Sequence, residues 1–247
     1  MMRELPFDIN DPHRRAELAR KVDAAAELLS DIARRFEPAA LASSLGAEDM
    51  VLTDIISRHA PAIGIFTLDT GRLHAETYRL LQQITERYDL RIRVLYPSSD
   101  ALERLVAERG INGFFNSVAN RRACCEVRKV EPLRRALAGK RAWLTGLRRA
   151  QAATRANLPL REYDAANGLE KFNPLAEWSE QDVWAYIHAF GVPYNALHDR
   201  GFPSIGCEPC TRAVTPGEDV RAGRWWWEEP GGKECGLHPA KGRQRAA

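Results

Sequence analysis

No stretch of the sequence approaches the roughly 18–20 consecutive apolar residues of a membrane span, which excludes a helical membrane protein. Met1 to Asp11 carry acids and a proline where a secretory leader would need a basic start and an apolar stretch, so the cytoplasm is the expected compartment. Cysteine is scarce and odd in number, five in 247 residues, which argues against a disulfide framework. Charge of one sign is not in excess either: a net +3 and a pI near 8.6 are too mild to mark a nucleic-acid binder. Internal repeats and low-complexity segments are missing. What remains is an ordinary folded composition, 45% hydrophobic and 28% charged, long enough for one core or one core plus a small appendage.

Along the chain, Pro12 to Phe36 reads as an amphipathic helix, with Leu18, Val22, Leu29, Ile32 and Phe36 at helical spacing and Pro38 as its stop. Strand and helix signals then alternate. Strands are expected at Ala39–Ser43, Ala62–Leu68, Arg91–Tyr96 and Ala142–Thr145; helices are expected at Ala47–His59, His74–Tyr88 and Ala101–Arg109. This alternation predicts an α/β fold with a mostly parallel sheet and helices on both faces. Such sheets bind ligands where loops leave the C-terminal ends of strands, and two loops stand there: Ser43–Asp49 and Asp69–Arg72. A capped helix, Ser179–Phe190, leads into a tail with glycine, proline and cysteine but no periodicity. The expected division is an N-terminal helical segment (1–37), an α/β nucleotide-binding domain (38–200) and a C-terminal tail (201–247).

The cysteines split four plus one. Cys124-Cys125 falls in an expected helix and Cys207-Glu208-Pro209-Cys210 in a turn. A Cys-x-x-Cys pair can bring both sulfurs to one centre, whereas adjacent helical cysteines point about 100° apart and suit different irons of a cube. Four soft thiolates without histidine fit either zinc or an iron–sulfur centre. Arg128 and Lys129 lie one helical turn on, placed to balance the negative charge of such a centre. A structural zinc site, or unrelated buried thiols, are the plainer readings of the same residues. Further basic pairs, Arg121-Arg122, Arg134-Arg135 and Arg148-Arg149, crowd the middle third; they suit solvated helix faces or the attraction of a small anion.

The Ser43-Ser44-Leu45-Gly46-Ala47-Glu48-Asp49 turn follows a strand and opens a helix, where backbone N–H groups can hold an anion; Ser43, Ser44 and Gly46 suit close approach. It is neither a Walker loop nor the Ser-Gly-Gly-x-Asp-Ser loop of ATP pyrophosphatases. The fifth cysteine, Cys235, lies between Gly231-Gly232 and His238, with Lys233 near; neighbouring cations would raise its thiolate fraction, and glycines would let it move. Arg221 and Arg224, three apart, would share a helical face toward a sulfate or phosphate. Trp225-Trp226-Trp227 reads as packing or an oligomer contact, and a homo-oligomer is expected.

Together these segments resemble the sulfonucleotide reductases, specifically the cluster-bearing adenylyl-sulfate (APS) reductases. The resemblance is carried by Ser44–Asp49, Leu68–His74, Cys124–Lys129, Thr145-Gly-Leu-Arg-Arg149, Ile205–Cys210 and, most specifically, the tail Arg224-Trp-Trp-Trp through Cys235-Gly-Leu-His238. It implies a Rossmann-like, adenine nucleotide α-hydrolase-like sheet and a [4Fe–4S] cluster on Cys124, Cys125, Cys207 and Cys210. It also implies a nucleotide site lined by Ser43, Leu45, Asp49, Leu68, Gly146 and Arg155, with Ser44, Gly46 and Arg128 among the substrate contacts. Lys129, Arg221, Arg224 and His238 would face the sulfate, and Cys235 would be the nucleophile. The activity so implied is thioredoxin-dependent reduction of APS to sulfite and AMP through a cysteine S-sulfonate, in assimilatory sulfate reduction and cysteine biosynthesis. Reductases of the 3′-phosphorylated substrate (PAPS) share the fold and tail but typically lack the four cluster cysteines, although some cluster-bearing members accept both. Plant-type members add a C-terminal redox domain; with the chain ending at Ala247, a separate thioredoxin is implied as reductant. Ala150 departs from the family, where an acidic residue often follows the Arg-Arg pair. Two other classes bear weighing. An ATP-dependent thiolation enzyme on a related fold would need the missing pyrophosphatase loop, and a zinc-stabilised nucleic-acid-binding module would be colourless.

Overall fold

The computed structural model describes residues 11–152 and 155–229. By packing, these form two units that interleave along the chain instead of following one another. The first comprises residues 11–67, 75–93, 139–152 and 155–201, and the second 68–74, 94–138 and 202–229.

The sheet has six strands: β1 (Ala39–Ser43), β2 (Gly64–Leu68), β3 (Arg93–Leu95), β4 (Ala142–Leu144), β5 (Arg161–Asp164) and β6 (Leu169–Phe172). Their order is β3-β2-β1-β4-β6-β5. β1 runs parallel to β2 and β4, β4 parallel to β6, and only β5 is antiparallel to its neighbour β6. Ala39, Ala40 and Leu41 are buried as a continuous run, as a central parallel strand requires. The mostly parallel α/β sheet read from the sequence is the one observed.

In the first unit, α1 (Pro12–Arg35), α2 (Ala47–His59), α3 (Ala75–Arg87) and α7 (Glu180–Phe190) supply the core with Leu29, Ile32, Met50, Ile55, Ile84 and Ile187. Local chemistry sets their ends. Asp11 caps α1 by accepting from the His13 N–H, and Pro12 opens the first turn, where its missing N–H costs nothing. Ser179 and Asp182 form a reciprocal capping box on α7, which Gly191 terminates in the left-handed conformation at φ 58°. Beneath α2 the buried carboxylate of Asp54 accepts from the Tyr88 and Tyr186 hydroxyls, both at 2.7 Å, and from Arg58 at 3.0 Å. This one group ties α2 to α7 and to the chain leaving α3.

The β5–β6 hairpin is absent from the strand pattern read from the sequence. Its strands, Arg-Glu-Tyr-Asp and Leu-Glu-Lys-Phe, are rich in charge; the signal was the Asn167-Gly168 turn, with Gly168 at φ 71° and its N–H on the Asp164 carbonyl.

The second unit carries α4 (Ser99–Arg109), α5 (Val118–Cys125) and α6 (Glu131–Leu137). A π-helical turn, Glu126–Val130, joins α5 to α6. Pro132 explains it: the ring offers no N–H to the Arg128 carbonyl and would clash with it in a regular helix, so the turn widens. The tail is irregular as read from its sequence: from residue 202 to 229 it holds one short 3₁₀ turn, Glu208–Cys210, and otherwise turns and an isolated bridge. Thr211 and Arg224 form an antiparallel bridge, and the Trp225 N–H donates to the Cys210 carbonyl at 3.1 Å.

Candidate active site

In the first unit the chain turns from β1 into α2 through Ser43, Ser44, Leu45 and Gly46. Leu45 adopts φ 61°, a left-handed conformation that a leucine occupies only at a cost of about 1–2 kcal/mol. Asp49 secures this turn. Its Oδ2 accepts from the Ser44 N–H (2.6 Å) and Oγ–H (2.7 Å), and its Oδ1 accepts from the Gly146 N–H at 3.1 Å. Burial pushes the Asp49 carboxyl up to about 6, with Glu48 adding to the rise and the Ser44 and Gly146 hydrogen bonds pulling it down. Gly146 is required for this closeness: a methyl there would meet Asp49 Oδ1 and stand 2.9 Å from Glu48 Cβ. The loop after β4 is pinned a second time, where the buried Arg148 places Nε and Nη2 on Glu48 Oε1 at 2.9 and 2.7 Å. Arg155 donates to Gln151, which also accepts from the Arg148 N–H. Ser43, Ser44, Leu45, Gly46, Asp49, Gly146 and Arg155 thus fall on two loops that leave the ends of β1 and β4, and Asp49 bonds one loop directly to the other. No side chain caps the N-terminus of α2, whose N-cap is Gly46.

The second unit holds Leu68 and the four cysteines that follow it in sequence. Cys125 and Cys207 are buried, Cys124 and Cys210 half-buried, and all four thiols are free. Cys124 and Cys125 end α5, and Cys207 caps the start of a single 3₁₀ turn, Glu208–Cys210, that ends on Cys210, so the second pair sits in a turn as its spacing predicts. Burial pushes the Cys124 thiol up, against the Arg128 and Arg72 guanidiniums, which pull it down. Cys210 is pushed up to about 12, by burial first and then by charge on Cys207, while Lys129 and Arg224 oppose the rise. The mutual influence of Cys124, Cys207 and Cys210 places them in one neighbourhood. Among the described residues, however, no three His, Cys, Asp or Glu side chains converge closely enough to hold a single metal ion.

Arg128 is buried rather than solvated and donates to the Thr70 carbonyl at 2.5 Å. Arg121 and Arg148 are buried as well, so in three of the four basic pairs one member is an interior group, not part of a wet helix face. Arg221 and Arg224 do not share a helix, contrary to the expectation from their spacing. They sit in a turn closed by the Arg224 N–H on the Arg221 carbonyl, because Arg224 is drawn into the bridge with Thr211. The Arg224 guanidinium packs where a side chain at Gly206 would be, and reaches the Ile205 carbonyl at 3.2 Å. Cys235 and His238 lie outside the described residues.

Four further residues belong to this neighbourhood. Thr70 Oγ1 lies 3.2 Å from Cys207 Sγ, and Arg72 spans to Asn112 and the Ile111 carbonyl. Arg121 grips Glu228 through two parallel bonds of 2.8 and 2.7 Å. The Asp69–Arg72 loop was flagged by its position after a strand, which was the available signal for Thr70 and Arg72; Glu228 falls within the tail motif that begins at Arg224, but nothing local in the sequence gives it a partner.

Residues 38–213 match the phosphoadenosine phosphosulfate reductase domain. The chain belongs to the phosphoadenosine phosphosulfate reductase family. It is accordingly an oxidoreductase acting on sulfur. Among its relatives, a protein of Allochromatium vinosum named adenosine 5′-phosphosulfate reductase is 61% identical over 215 residues, 87% of this chain and 84% of the relative. One of the same name from Burkholderia cepacia is 57% identical over 222 residues, 90% of this chain and 89% of the relative. Among solved structures, the phosphoadenylyl-sulfate reductase of Candida auris, in a phosphate complex, superposes with a TM-score of 0.67 at 28% identity, covering 84% of this chain and 99% of that one. The FMN adenylyltransferase of Candida glabrata, at 14% identity and a TM-score of 0.58 over 90% of this chain and 77% of its own, shares the fold alone. The adenine nucleotide α-hydrolase-like sheet expected from the sequence is therefore the family fold.

Proposed function

We propose that this enzyme reduces adenosine 5′-phosphosulfate to sulfite and AMP, with thioredoxin as the electron donor and Cys235 as the nucleophile. The observation that carries the reading is the four-thiol set of Cys124, Cys125, Cys207 and Cys210, ringed by Arg72, Arg128, Lys129 and Arg224, in a chain 61% identical to an adenosine 5′-phosphosulfate reductase.

The same donor set fits a [4Fe–4S] cluster. Half-buried thiols raised by burial ionise when a metal centre supplies the positive partner, and the surrounding cations offset the excess negative charge. A lone zinc, with Zn–S bonds of about 2.3 Å, would draw its thiolates to within about 4 Å of one another, closer than the thiolates on separate irons of a cube. Cys124, Cys125, Cys207 and Cys210 would hold the cluster. When bound, it contributes charge and rigidity near the sulfate, since electrons that arrive in pairs from thiols do not require it to cycle.

The protein's own residues account for the rest. Ser43, Ser44, Leu45, Gly46, Asp49, Leu68, Gly146 and Arg155 hold the nucleotide. Asp49 acts there by fixing the loop rather than by touching the ligand, since its two oxygens already accept three internal bonds. Lys129, Arg128, Arg221, Arg224 and His238 neutralise the sulfate, because an anionic nucleophile must approach an anion. The Cys235 thiolate attacks sulfur; a new S–S bond forms, the S–O bond to AMP breaks, and AMP leaves with its electron pair. A thiolate of reduced thioredoxin then attacks the Cys235 sulfur, sulfite departs with the bonding pair, and the second thioredoxin thiol resolves the mixed disulfide. The net change is oxidation of one dithiol and two-electron reduction of sulfur.

The purified chain is expected to be brown, with iron and acid-labile sulfide in equal amounts, and to release sulfite from APS far faster than from its 3′-phosphorylated analogue. A colourless zinc protein, or an enzyme that prefers the 3′-phosphorylated substrate, would overturn the corresponding part of this reading.

A further inference from the structure

Arg121 lies one helical turn before Cys125 in α5, and 1% of its side chain is exposed. Its Nε and Nη2 donate to Glu228 Oε1 and Oε2 at 2.8 and 2.7 Å, and the Glu228 side chain is itself only 6% exposed. The guanidinium also lies over the Trp225 ring, 4.6 Å from its centroid, and bonds to Cys125. Trp225 is 1% exposed, is held at φ 42°, and receives the Arg224 guanidinium at 4.9 Å. Its N–H donates to the Cys210 carbonyl, and the Glu228 N–H returns to the Trp225 carbonyl at 2.8 Å. The segment Trp225–Glu228 is therefore fastened to both cysteine-bearing stretches, to α5 through Arg121 and to the Cys207–Cys210 turn through its backbone.

Burying a full charge pair is a costly way to gain stability, because desolvation cancels much of the attraction. What a planar fork gripping a carboxylate does provide is a fixed position and orientation. Glu228 is the last such anchor among the described residues, and Cys235 follows seven residues later in the sequence.

We propose that Arg121 is a positioning residue for the reaction: through its fork on Glu228 it sets where, and in which direction, the segment bearing Cys235 departs. This rests on the reading of Cys235 as the nucleophile. It assigns Arg121 no contact with substrate, and it gives the buried pair a role beyond holding α5.

The test uses the full-length holoenzyme with Glu228→Gln, which keeps the shape and one acceptor, and Arg121→Lys, which keeps the charge but loses the fork. Iron content, the visible spectrum and the melting temperature are recorded first, then kcat and KM for APS, then the single-turnover rate of S-sulfonate formation. Both variants are expected to keep wild-type iron and KM, while kcat and the single-turnover rate fall together by roughly 10–100-fold, the cost of misplacing a reacting atom by about 1 Å. Wild-type kcat in both variants would overturn the proposal. So would a loss of iron that parallels the loss of activity, since the pair would then serve only the cysteine-bearing helix. Cys235→Ser, run alongside, separates the two levels. If that variant remains active, the nucleophile reading itself has failed. If it is inactive while Glu228→Gln and Arg121→Lys are both normal, only the positioning role has failed.

Discussion

At the scale of single residues, Asp49 does the most with the fewest atoms. Three internal donors meet its two oxygens, and together they hold Leu45 in a strained turn and close Gly146 against α2. Its carboxyl, raised by burial to about 6, lies above the ordinary value of an unfolded chain near 4. The folded state therefore binds the proton more tightly, so this group's contribution to stability is fully present below pH ~4 and declines as pH rises to about 6. Asp49→Asn removes the titration while keeping an acceptor for Gly146. Denaturant unfolding from pH 4 to 7 is expected to show a slope shallower by up to one proton in that window. An unchanged slope would show that Asp49 does not titrate there. The buried arginines illustrate what residue-level reading misses. Arg121, Arg128 and Arg148 find partners 107, 58 and 100 residues away, so a charge pair that looks solvated in sequence becomes interior only in three dimensions.

At the scale of elements, the sequence was most legible where local chemistry and burial agree. Helix α2 spans Ala47–His59 as read, because apolar residues fill it and acids and bases sit at its proper ends. The capped start of α7 was legible for the same reason. The β5–β6 hairpin was not, because the edge strand β5 and its inner neighbour β6 are each four residues long and rich in charge, which leaves no alternating apolar signal. The π turn was not either; at five residues, Glu126–Val130, it is too short to show a period of its own, and Pro132 was its one mark. The elements of the first unit are locked by Asp54, and this carries its own expectation. Tyr186→Phe removes one of three donors to a buried carboxylate and should lower stability by about 1–2 kcal/mol, read as a fall of a few degrees in melting temperature. Turnover should not change, since Tyr186 is outside the residues assigned to substrate. No change in melting would mean that Tyr88 and Arg58 suffice.

At the scale of the molecule, the chain order concealed the packing. A division into consecutive segments follows the sequence, whereas the two units take turns along it, so the four cysteines and the loop after β2 belong together although up to 142 positions separate them, from Leu68 to Cys210. The family and its sheet were nonetheless legible, because the motifs that carry the resemblance are short local strings at strand ends and in the cysteine pairs, which can be read without knowing how the chain packs. Chemistry at Cys235 is the claim on which the function turns. Enzyme mixed with APS in the absence of any thiol reductant, then digested and weighed by mass spectrometry, tests it directly. The expected result is a sulfonate on the Cys235 peptide, formed together with a stoichiometric amount of AMP and discharged as sulfite on adding reduced thioredoxin. An unmodified Cys235 peptide alongside released AMP would contradict it.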